Sequence, residues 1–276
     1  MPSDMDFIVR KLSSDSDERD EDIAGIKKLC SDRSYLGKDV AEVFSYRDLW
    51  ADLIIDPYLE LSSEHVWVAR GKETGEMLGY LTGVVREDFY PLQDRFVNEY
   101  VDRLSKRGLL DVFFNPVRFF GSATSLLAGL NHQTIEFFRY LKTRAREEIP
   151  KRPETPHFNV FARYDNRGIA RALIGAFFQE LRQRAVPRFH ITALHVPGDR
   201  LRQELEKKGF RVRSLDFFRA EYSIYDCVPT NIFAPYELTI CCFEREVSAV
   251  SLRVGRRNDF ETPRSFAKPG ASAIDR

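Results

Sequence analysis

Two hydrophobic periods alternate along the chain, and each change of period marks the start of a new element. Apolar residues recur at three- and four-residue spacing after Asp20, which predicts a first helix. A second helix is predicted at about 46–53, because Pro57 lacks the backbone N–H that a helix interior requires. Segments rich in β-forming residues predict three strands, the last two joined by a glycine-bounded turn into an antiparallel hairpin: 7–11, 65–70 and 77–85.

The second half of the chain returns to a strand-and-helix pattern after a long interruption. Residues 86–153 lose the alternation of the hairpin, and we expect a helical insertion there. Polar residues 256–276 predict a flexible tail, which leaves a single domain at 1–255. The order of elements predicts an α/β (α+β) fold with a mixed, mostly antiparallel sheet flanked by helices. After the insertion the pattern predicts strand 157–163, a long helix after Gly168, strand 189–196, helix 199–208, and strands 211–222 and 236–246 around a loop with Pro229 and Pro235.

Composition and charge narrow the classes of partner. The 276 residues are 43% hydrophobic and carry 42 basic and 42 acidic side chains, so the basic footprint of a nucleic-acid binder is missing. No run of about 18 apolar residues occurs, and residues 1–6 lack the features of a signal peptide. The four cysteines and five histidines show no metal-ligand spacing. We therefore expect a cytoplasmic protein with reduced thiols, no metal, no membrane partner and no nucleic-acid partner.

Candidate chemistry is concentrated where strand 157–163 leads into the long helix. Residues 167–171 (Arg-Gly-Ile-Ala-Arg) place backbone N–H groups and two cations at a helix start, where a diphosphate would bind. Gly168 would let a ligand approach the backbone, and Ala170 would not block the first turn. The alternative is a simple tight turn with solvated arginines. A different nucleotide diphosphate would fit the same turn, although the glycine pattern of dinucleotide-binding folds is missing.

These residues and the element order resemble the GNAT superfamily of acyl-CoA N-acyltransferases. The resemblance covers about 7–85 and 157–246, with 157–160 similar to the cofactor strand and 164–170 similar to the pyrophosphate loop. Because of the helical insertion, the chain is most similar to the group related to the acetyltransferase-like domain found beside O-GlcNAc hydrolases. The resemblance implies transfer of an acetyl group from acetyl-CoA, or another acyl-CoA, to an amine acceptor that the sequence leaves unidentified, as it does the oligomeric state.

The resemblance also implies which residues hold the acyl donor. The pyrophosphate would lie on the amides of Arg167, Gly168, Ile169, Ala170 and Arg171. The pantetheine arm would pair with the backbone at Phe161, Ala162 and Arg163, because the sheet opens there and leaves strand groups for an amide-rich arm.

Candidate proton acceptors lie on or beside the same strand. A histidine with an unperturbed pKa of about 6.5 could accept a proton at neutral pH, which makes His157 a candidate. The resemblance implies a second candidate, Glu154, which lies about where some family members keep a catalytic glutamate. The alternatives are a hydrogen-bonded structural histidine and a solvated loop glutamate. His195, at the end of the next strand, is a weaker candidate for the same role.

Three positions depart from the family pattern. Asp165 places a negative charge where the phosphate loop usually has Gln or Arg, and Gly198 and Leu205 replace the usual Asn and Tyr of the last helix. The usual proton donor to the departing thiolate is therefore missing, and water, Tyr222 or Tyr225 are the candidate substitutes. These departures favour the alternative that the chain is a catalytically lapsed CoA-binding or interaction module.

Overall fold

The computed structural model describes residues 6–34, 36–42, 47–96, 98–99, 102–103, 154–164, 167–196, 198–210, 222–230 and 238–247. Helices and strands alternate in the order β1 (Phe7–Lys11), α1 (Ser16–Arg33), α2 (Arg47–Leu61), β2 (Val66–Gly71), β3 (Met77–Val84), β4 (Thr155–Val160), α3 (Ile169–Gln183), β5 (Arg188–His195), α4 (Asp199–Lys207), β6 (Ser223–Thr230) and β7 (Leu238–Glu246). Antiparallel sheets flanked by helices confirm the predicted fold class.

The strands form two sheets that meet at one point. The first sheet has the order β1-β2-β3-β4 and the second the order β5-β7-β6, and every described pair is antiparallel. The amide of His190, near the start of β5, donates to the carbonyl of Glu154 just before β4, with a distance of 2.9 Å. The two sheets are therefore joined where β4 and β5 begin.

Helices cover both faces of the first sheet, because side chains of a strand alternate between its faces. On one face Val66 and Val68 of β2 pack with Ile26 of α1. On the other face Trp67 packs with Phe177 of α3, at a ring-centroid distance of 5.7 Å. Helix α3 also reaches the second sheet, since Phe177 and Phe178 both contact the ring of Phe189 in β5. The core thus continues from one sheet to the other beneath α3.

The predicted break at Pro57 is wrong, because α2 continues through this residue to Leu61. The missing N–H and the ring of a proline inside a helix cost about 3 kcal/mol. Tertiary contacts offset this cost: Ile55 and Tyr58 are buried, and Lys27 of α1 forms ion pairs with two aspartates of α2, Asp52 at 2.7 Å and Asp56 at 2.6 Å.

Two strand boundaries also differ from the prediction. β4 ends at Val160, because residues 162–164 form a single 3-10 turn in which the amide of Tyr164 donates to the carbonyl of Phe161. β6 occupies 223–230 and includes Pro229, which the pattern had placed in a loop. β6 lies at the outer side of the second sheet, where a proline need not donate to a neighbouring strand.

Part of the predicted organisation lies outside the described residues. Residues 89–96 are helical, as expected at the start of the insertion, but 104–153 are not described. The predicted tail at 256–276, most of the predicted strand 211–222, and Asp165 of the phosphate turn are likewise outside the described ranges.

Candidate functional site

The candidate site lies where β4 and β5 separate into different sheets. β4 pairs with β3 on one side only, and the amide of Phe161 continues that pairing by donating to the carbonyl of Leu78 at 3.0 Å. Successive residues of an antiparallel strand direct their N–H and C=O groups to opposite sides. The backbone groups of Val160 therefore point toward β5, away from β3. Apart from the contact at Glu154, no strand pairing joins β4 to β5 among the described residues, and this separation between the two sheets is called the gap.

The amino end of α3 follows directly on the end of β4. Gly168 caps the helix with φ 82° and ψ −3°, a left-handed conformation that favours glycine. It has no side-chain cap hydrogen bond, and the first turn contains no acidic residue. A Cβ atom built at Gly168 would meet nothing within 4 Å, so the backbone is open to an approaching molecule. The amides of Ile169, Ala170 and Arg171 are in the first turn, where no preceding helical carbonyl can accept from them.

Two arginines flank this helix start. Arg167 and Arg171 are both exposed, one before the capping glycine and one in the first turn. Their charges add to the positive end of the helix dipole. The amide of Arg167 is already used, since it donates to the carbonyl of Tyr164 at 3.3 Å. Of the five amides predicted to face a pyrophosphate, that of Arg167 is therefore engaged in the turn itself.

The residues predicted to pair with a pantetheine arm form the link between β4 and α3. Phe161 uses its amide toward Leu78 and its carbonyl toward Tyr164, and Ala162 begins the 3-10 turn. The guanidinium of Arg163 forms an ion pair with Glu76 of the hairpin turn and lies 5.5 Å from the ring centre of Phe161. The hydroxyl of Tyr164 also donates to Glu76, at 2.6 Å. Glu76 thus anchors this link to the hairpin.

His157 lies on the face of β4 that α1 and α2 cover. Its Nδ1 is 3.4 Å from the hydroxyl of Tyr80 in β3, and its ring lies 6.3 Å from that of Tyr58 in α2. The amide nitrogen of Asn159 donates to the same hydroxyl at 3.0 Å. Tyr80 is fully buried, and this burial raises its pKa well above the ordinary value, so the phenol keeps its proton. The cluster of Tyr80, His157 and Asn159 is called the Tyr80 cluster below.

The thiol of Cys30 in α1 completes the surroundings of Tyr80. Burial raises the pKa of Cys30 to about 11, although hydrogen bonds from Ser34 and Tyr80 act in the opposite direction. The Tyr80 oxygen accepts from the Asn159 amide at 3.0 Å, and its hydroxyl also contacts Nδ1 of His157. Sequence reasoning singled out His157 but missed Tyr80 and Cys30. The pairing of Tyr80 with Asn159 across β3 and β4, together with the packing of α1 on this face, brings these groups together.

Glu154 is held at the closed end of the gap. Its carboxylate lies 3.4 Å from Nδ1 of His190, and Nε2 of His190 lies 3.1 Å from the carboxylate of Glu244 in β7. His190 is only 5% exposed, and Arg188 adds an ion pair to Glu244 at 2.9 Å. An imidazole between two carboxylates links β4, β5 and β7. The structure thus pairs Glu154 with His190 rather than with His157.

The positions that depart from the family pattern are structural where they are described. Leu205 is fully buried and packs with Val196, Phe210 and Leu238. Gly198 has φ 81° and stands before α4 without a side-chain cap. The ring of Tyr222 packs against Phe189, at a centroid distance of 6.1 Å.

The described part of the chain contains neither a cluster of metal ligands nor a helix that could span a membrane. No group of three or more His, Cys, Asp or Glu side chains there is arranged to hold a metal ion. Among the same residues, no helix combines the length and the apolar character needed to cross a membrane.

Comparison with known proteins relates the chain to solved structures only. No family model matches it, and no curated protein sequence does. The crystal structure of SsHAT shares 17% identity, with 87% of this chain and 98% of that chain covered and a TM-score of 0.49. An aminoglycoside 6'-N-acetyltransferase in complex with coenzyme A shares 8% identity, covers 87% and 97%, and has a TM-score of 0.42. YncA from Salmonella typhimurium, an acetyltransferase with its cofactor acetyl-CoA, shares 11% identity, covers 89% and 96%, and has a TM-score of 0.41. At these values the likeness concerns the arrangement of elements and not a substrate.

Proposed function

We propose that the chain is an acyl-CoA-dependent N-acetyltransferase of the GNAT type that transfers an acetyl group to an amine. One observation carries the proposal: β4 separates from β5 directly before a helix whose open amino end has no cap and no acidic residue. A long molecule with a diphosphate at one position and amides along an arm matches both features. Acetyl-CoA has this chemistry, and the residues present fit it.

The diphosphate would lie on the first turn of α3. The amides of Gly168, Ile169, Ala170 and Arg171 would donate to its oxygens, and the side chains of Arg167 and Arg171 would balance its charge. The left-handed Gly168 supports this role, since it leaves room for a phosphate next to the backbone. An acidic residue in the first turn would oppose it, and none is present in 169–171.

The amide-bearing arm would run along the side of β4 that faces the gap. Val160 directs its backbone groups to that side, and the link Phe161–Arg163 would border the arm as it leaves the diphosphate. Amides of the arm would hydrogen-bond to the strand as another strand would. Because Glu76 holds Arg163 and Tyr164, the border is fixed before the ligand arrives.

His157 would take the proton of the attacking amine. Acetyl-CoA supplies an activated acetyl group, which the amine takes up with release of the CoA thiol. We assign a proton to Nδ1 of His157, which donates to the Tyr80 oxygen beside the hydrogen bond that this oxygen accepts from Asn159. This assignment leaves the lone pair of Nε2 as the proton acceptor. Tyr80 is therefore a positioning residue, and Glu154 remains a second candidate base that would first have to leave His190.

Binding tests the donor site. Calorimetric titration with acetyl-CoA and with CoA should give dissociation constants near the micromolar range, corresponding to about −8 kcal/mol. Arg167→Glu and Gly168→Trp should each abolish binding, since one adds a negative charge and the other fills the space beside the backbone. Arg200→Glu, at an equally exposed position at the start of α4, is the matched control and should bind normally. Normal binding by Gly168→Trp would refute the site.

Turnover tests the role of His157. Consumption of acetyl-CoA by a panel of primary amines should fall by about 100- to 10,000-fold in His157→Gln, the range for loss of a general base. Tyr80→Phe should lower kcat with little change in KM for acetyl-CoA and should alter the pH profile. His65→Gln replaces a histidine elsewhere in the fold and should retain turnover. If His157→Gln keeps full activity, Glu154 becomes the candidate general base. The variant Glu154→Gln then tests that role.

A second candidate function is a CoA-binding or interaction module that no longer catalyses transfer. The burial of Leu205 in an apolar cluster favours it, because the family's usual proton donor would stand at this position. This candidate would be supported if the wild-type protein binds CoA normally but acetylates none of the amines. The wild-type protein and His157→Gln would then be equally inactive.

Two finer assignments rest on the sequence. We propose membership of the group related to the acetyltransferase-like domain found beside O-GlcNAc hydrolases, because of the predicted insertion at 86–153. We also propose a cytoplasmic location, on the basis of the cysteine pattern. Fluorescent tagging at each terminus in turn, with imaging of living cells, tests the location.

A further inference from the structure

Two of the four cysteines lie directly opposite one another on neighbouring strands. Cys227 of β6 pairs in register with Cys241 of β7, although they are 14 positions apart in the chain. Their Sγ atoms are 2.6 Å apart, and both residues are reduced. The spacing in the sequence gave no sign of this pair, because strand pairing alone creates it.

The backbone at this pair already has the separation that a disulfide needs. Residues directly opposite in an antiparallel ladder have Cα atoms about 4.5 or 5.5 Å apart. Disulfide-bonded cysteines have Cα atoms about 4.4–6.8 Å apart. Directly opposite side chains also project from the same face of the sheet. A bond between these two sulfurs therefore requires no movement of the strands.

The two sulfurs differ in access, as a reacting pair requires. Cys227 is exposed on the outer strand of the second sheet, whereas Cys241 is 1% exposed within the core beneath α3. Cys242 follows Cys241 directly, so its side chain lies on the opposite face of β7, and it is fully buried. Cys30 is buried in a separate cluster with α1. Only one of the four thiols combines exposure with a partner in register.

From this geometry we propose that Cys227 and Cys241 form a reversible thiol–disulfide site. With a small disulfide such as oxidised glutathione as the oxidant, the Cys227 thiolate attacks one sulfur and releases one glutathione thiolate. The Cys241 thiolate then attacks the Cys227 sulfur and releases the second glutathione. The two protein thiols lose two electrons and two protons, and one oxidised glutathione becomes two reduced glutathiones. The bond covalently joins the outer strand β6 to the central strand β7.

The full-length protein tests this site without any assumption about acetyl transfer. After incubation with oxidised glutathione, remaining thiols are alkylated in denaturant and the peptides are mapped by mass spectrometry. We expect a peptide linking Cys227 to Cys241, an intact mass lower by about 2 Da, and complete reversal by dithiothreitol. The oxidised form should also unfold at a higher temperature than the reduced form, because the bond restricts the unfolded chain.

Single substitutions separate the two steps. Cys241→Ser should stop the reaction at a stable glutathione adduct on Cys227. Cys227→Ser should leave Cys241 unmodified, because its sulfur is inaccessible. Cys241 lies in the core, so a serine there also tests folding. If Cys241→Ser does not fold, the peptide map of the wild-type protein decides whether the two cysteines are linked. A glutathione adduct on wild-type Cys227 without the linked peptide, or a link from Cys227 to Cys242, would overturn the proposal.

Discussion

At the residue scale, Asp22 is a carboxylate buried completely in the middle of α1. Arg10 of β1 donates to it at 2.7 Å and Arg70 of β2 at 2.9 Å, so two arginines share one carboxylate. The aspartate occupies a position where an amphipathic helix would normally place an apolar side chain. The ion pairs of Asp22 therefore hold α1 against the edge of the first sheet, in addition to the apolar packing of this helix.

Loss of this carboxylate should be one of the costliest single changes in the fold. Asp22→Ala leaves two arginines without their shared partner, and we expect a loss of about 3–5 kcal/mol in the free energy of unfolding. The control is Glu21→Ala, which removes an exposed partner of Arg70 and should cost below about 1 kcal/mol. Urea denaturation of both variants measures the difference. Equal costs would show that burial of Asp22 adds nothing to the interaction.

His65 is a second residue whose state is set by its surroundings. It is 2% exposed and lies 3.7 Å from Glu180 and 3.4 Å from Glu64. Burial lowers its pKa from 6.5, and the nearby cations Arg184 and Lys11 act in the same direction against the two glutamates. The neutral ring is therefore favoured in the folded protein at neutral pH.

This shift predicts a loss of stability in mild acid. The unfolded chain binds a proton at His65 as the pH falls below 6.5, whereas the folded protein binds it only at lower pH. The stabilising contribution is present above pH 6.5 and disappears as the pH falls through the folded pKa. The free energy of unfolding should thus fall as the pH drops below 6.5, and should fall less in His65→Gln. An identical pH dependence in the variant would contradict the assignment.

At the element scale, small residues of β3 let α3 approach the sheet. A Cβ atom at Gly83 would overlap the ring of Phe177, and one at Gly79 would lie 3.0 Å from the carbonyl of Asn159. By contrast, a Cβ atom at Gly175, within α3, would meet nothing within 4 Å. The distance between helix and sheet therefore depends on glycine in the strand and not on glycine in the helix.

The same substitution should have opposite effects at these two places. Gly83→Ala forces the Phe177 ring to move in a packed core, and we expect a loss of about 1–3 kcal/mol. Gly175→Ala removes backbone freedom from the unfolded chain without a clash, and should raise stability by about 0.5–1 kcal/mol. Thermal unfolding by calorimetry compares the two variants. A stabilised Gly83→Ala would mean that α3 packs farther from β3 than the structure shows.

Most elements could be predicted from local pattern, and the exceptions have tertiary causes. The spacing of Leu173 and Phe177 correctly predicted α3, because one face of this helix is buried along its length. Pro57 misled the prediction for α2, since ion pairs with α1 compensate a local cost. Pro229 misled the prediction for β6, since an outer strand does not need every N–H. Neither compensation is visible in a single stretch of sequence.

At the scale of the whole molecule, one histidine joins the two sheets. His190 of the second sheet contacts Glu154 of the first and Glu244 of β7, and its backbone amide binds the Glu154 carbonyl. This junction closes one end of the gap that would receive acetyl-CoA. The separation of the two sheets at this end of the gap therefore depends on a buried histidine between two carboxylates.

Removal of the imidazole should weaken the junction. His190→Leu leaves two carboxylates near each other without the ring between them, and we expect a loss of about 2–3 kcal/mol in unfolding free energy. Arg188→Ala removes an exposed partner of the same Glu244 and should cost below about 1 kcal/mol. Urea unfolding followed by tryptophan fluorescence measures both changes. A His190→Leu protein as stable as wild type would show that the imidazole adds nothing to the junction beyond the backbone hydrogen bond and the packing of α3.

The sequence by itself determined the fold class, the hairpin, the long helix and the candidate phosphate turn, because each depends on residues close together in the chain. Gly168 and its neighbouring arginines could be singled out since turn conformation and helix polarity are local properties. The Tyr80 cluster, the pairing of Glu154 with His190 and the opposition of Cys227 to Cys241 were decided only by the tertiary structure. Each depends on strand register, which brings together residues between 14 and 79 positions apart in the chain. Register follows from the packing of whole faces, so no short stretch of sequence contains it.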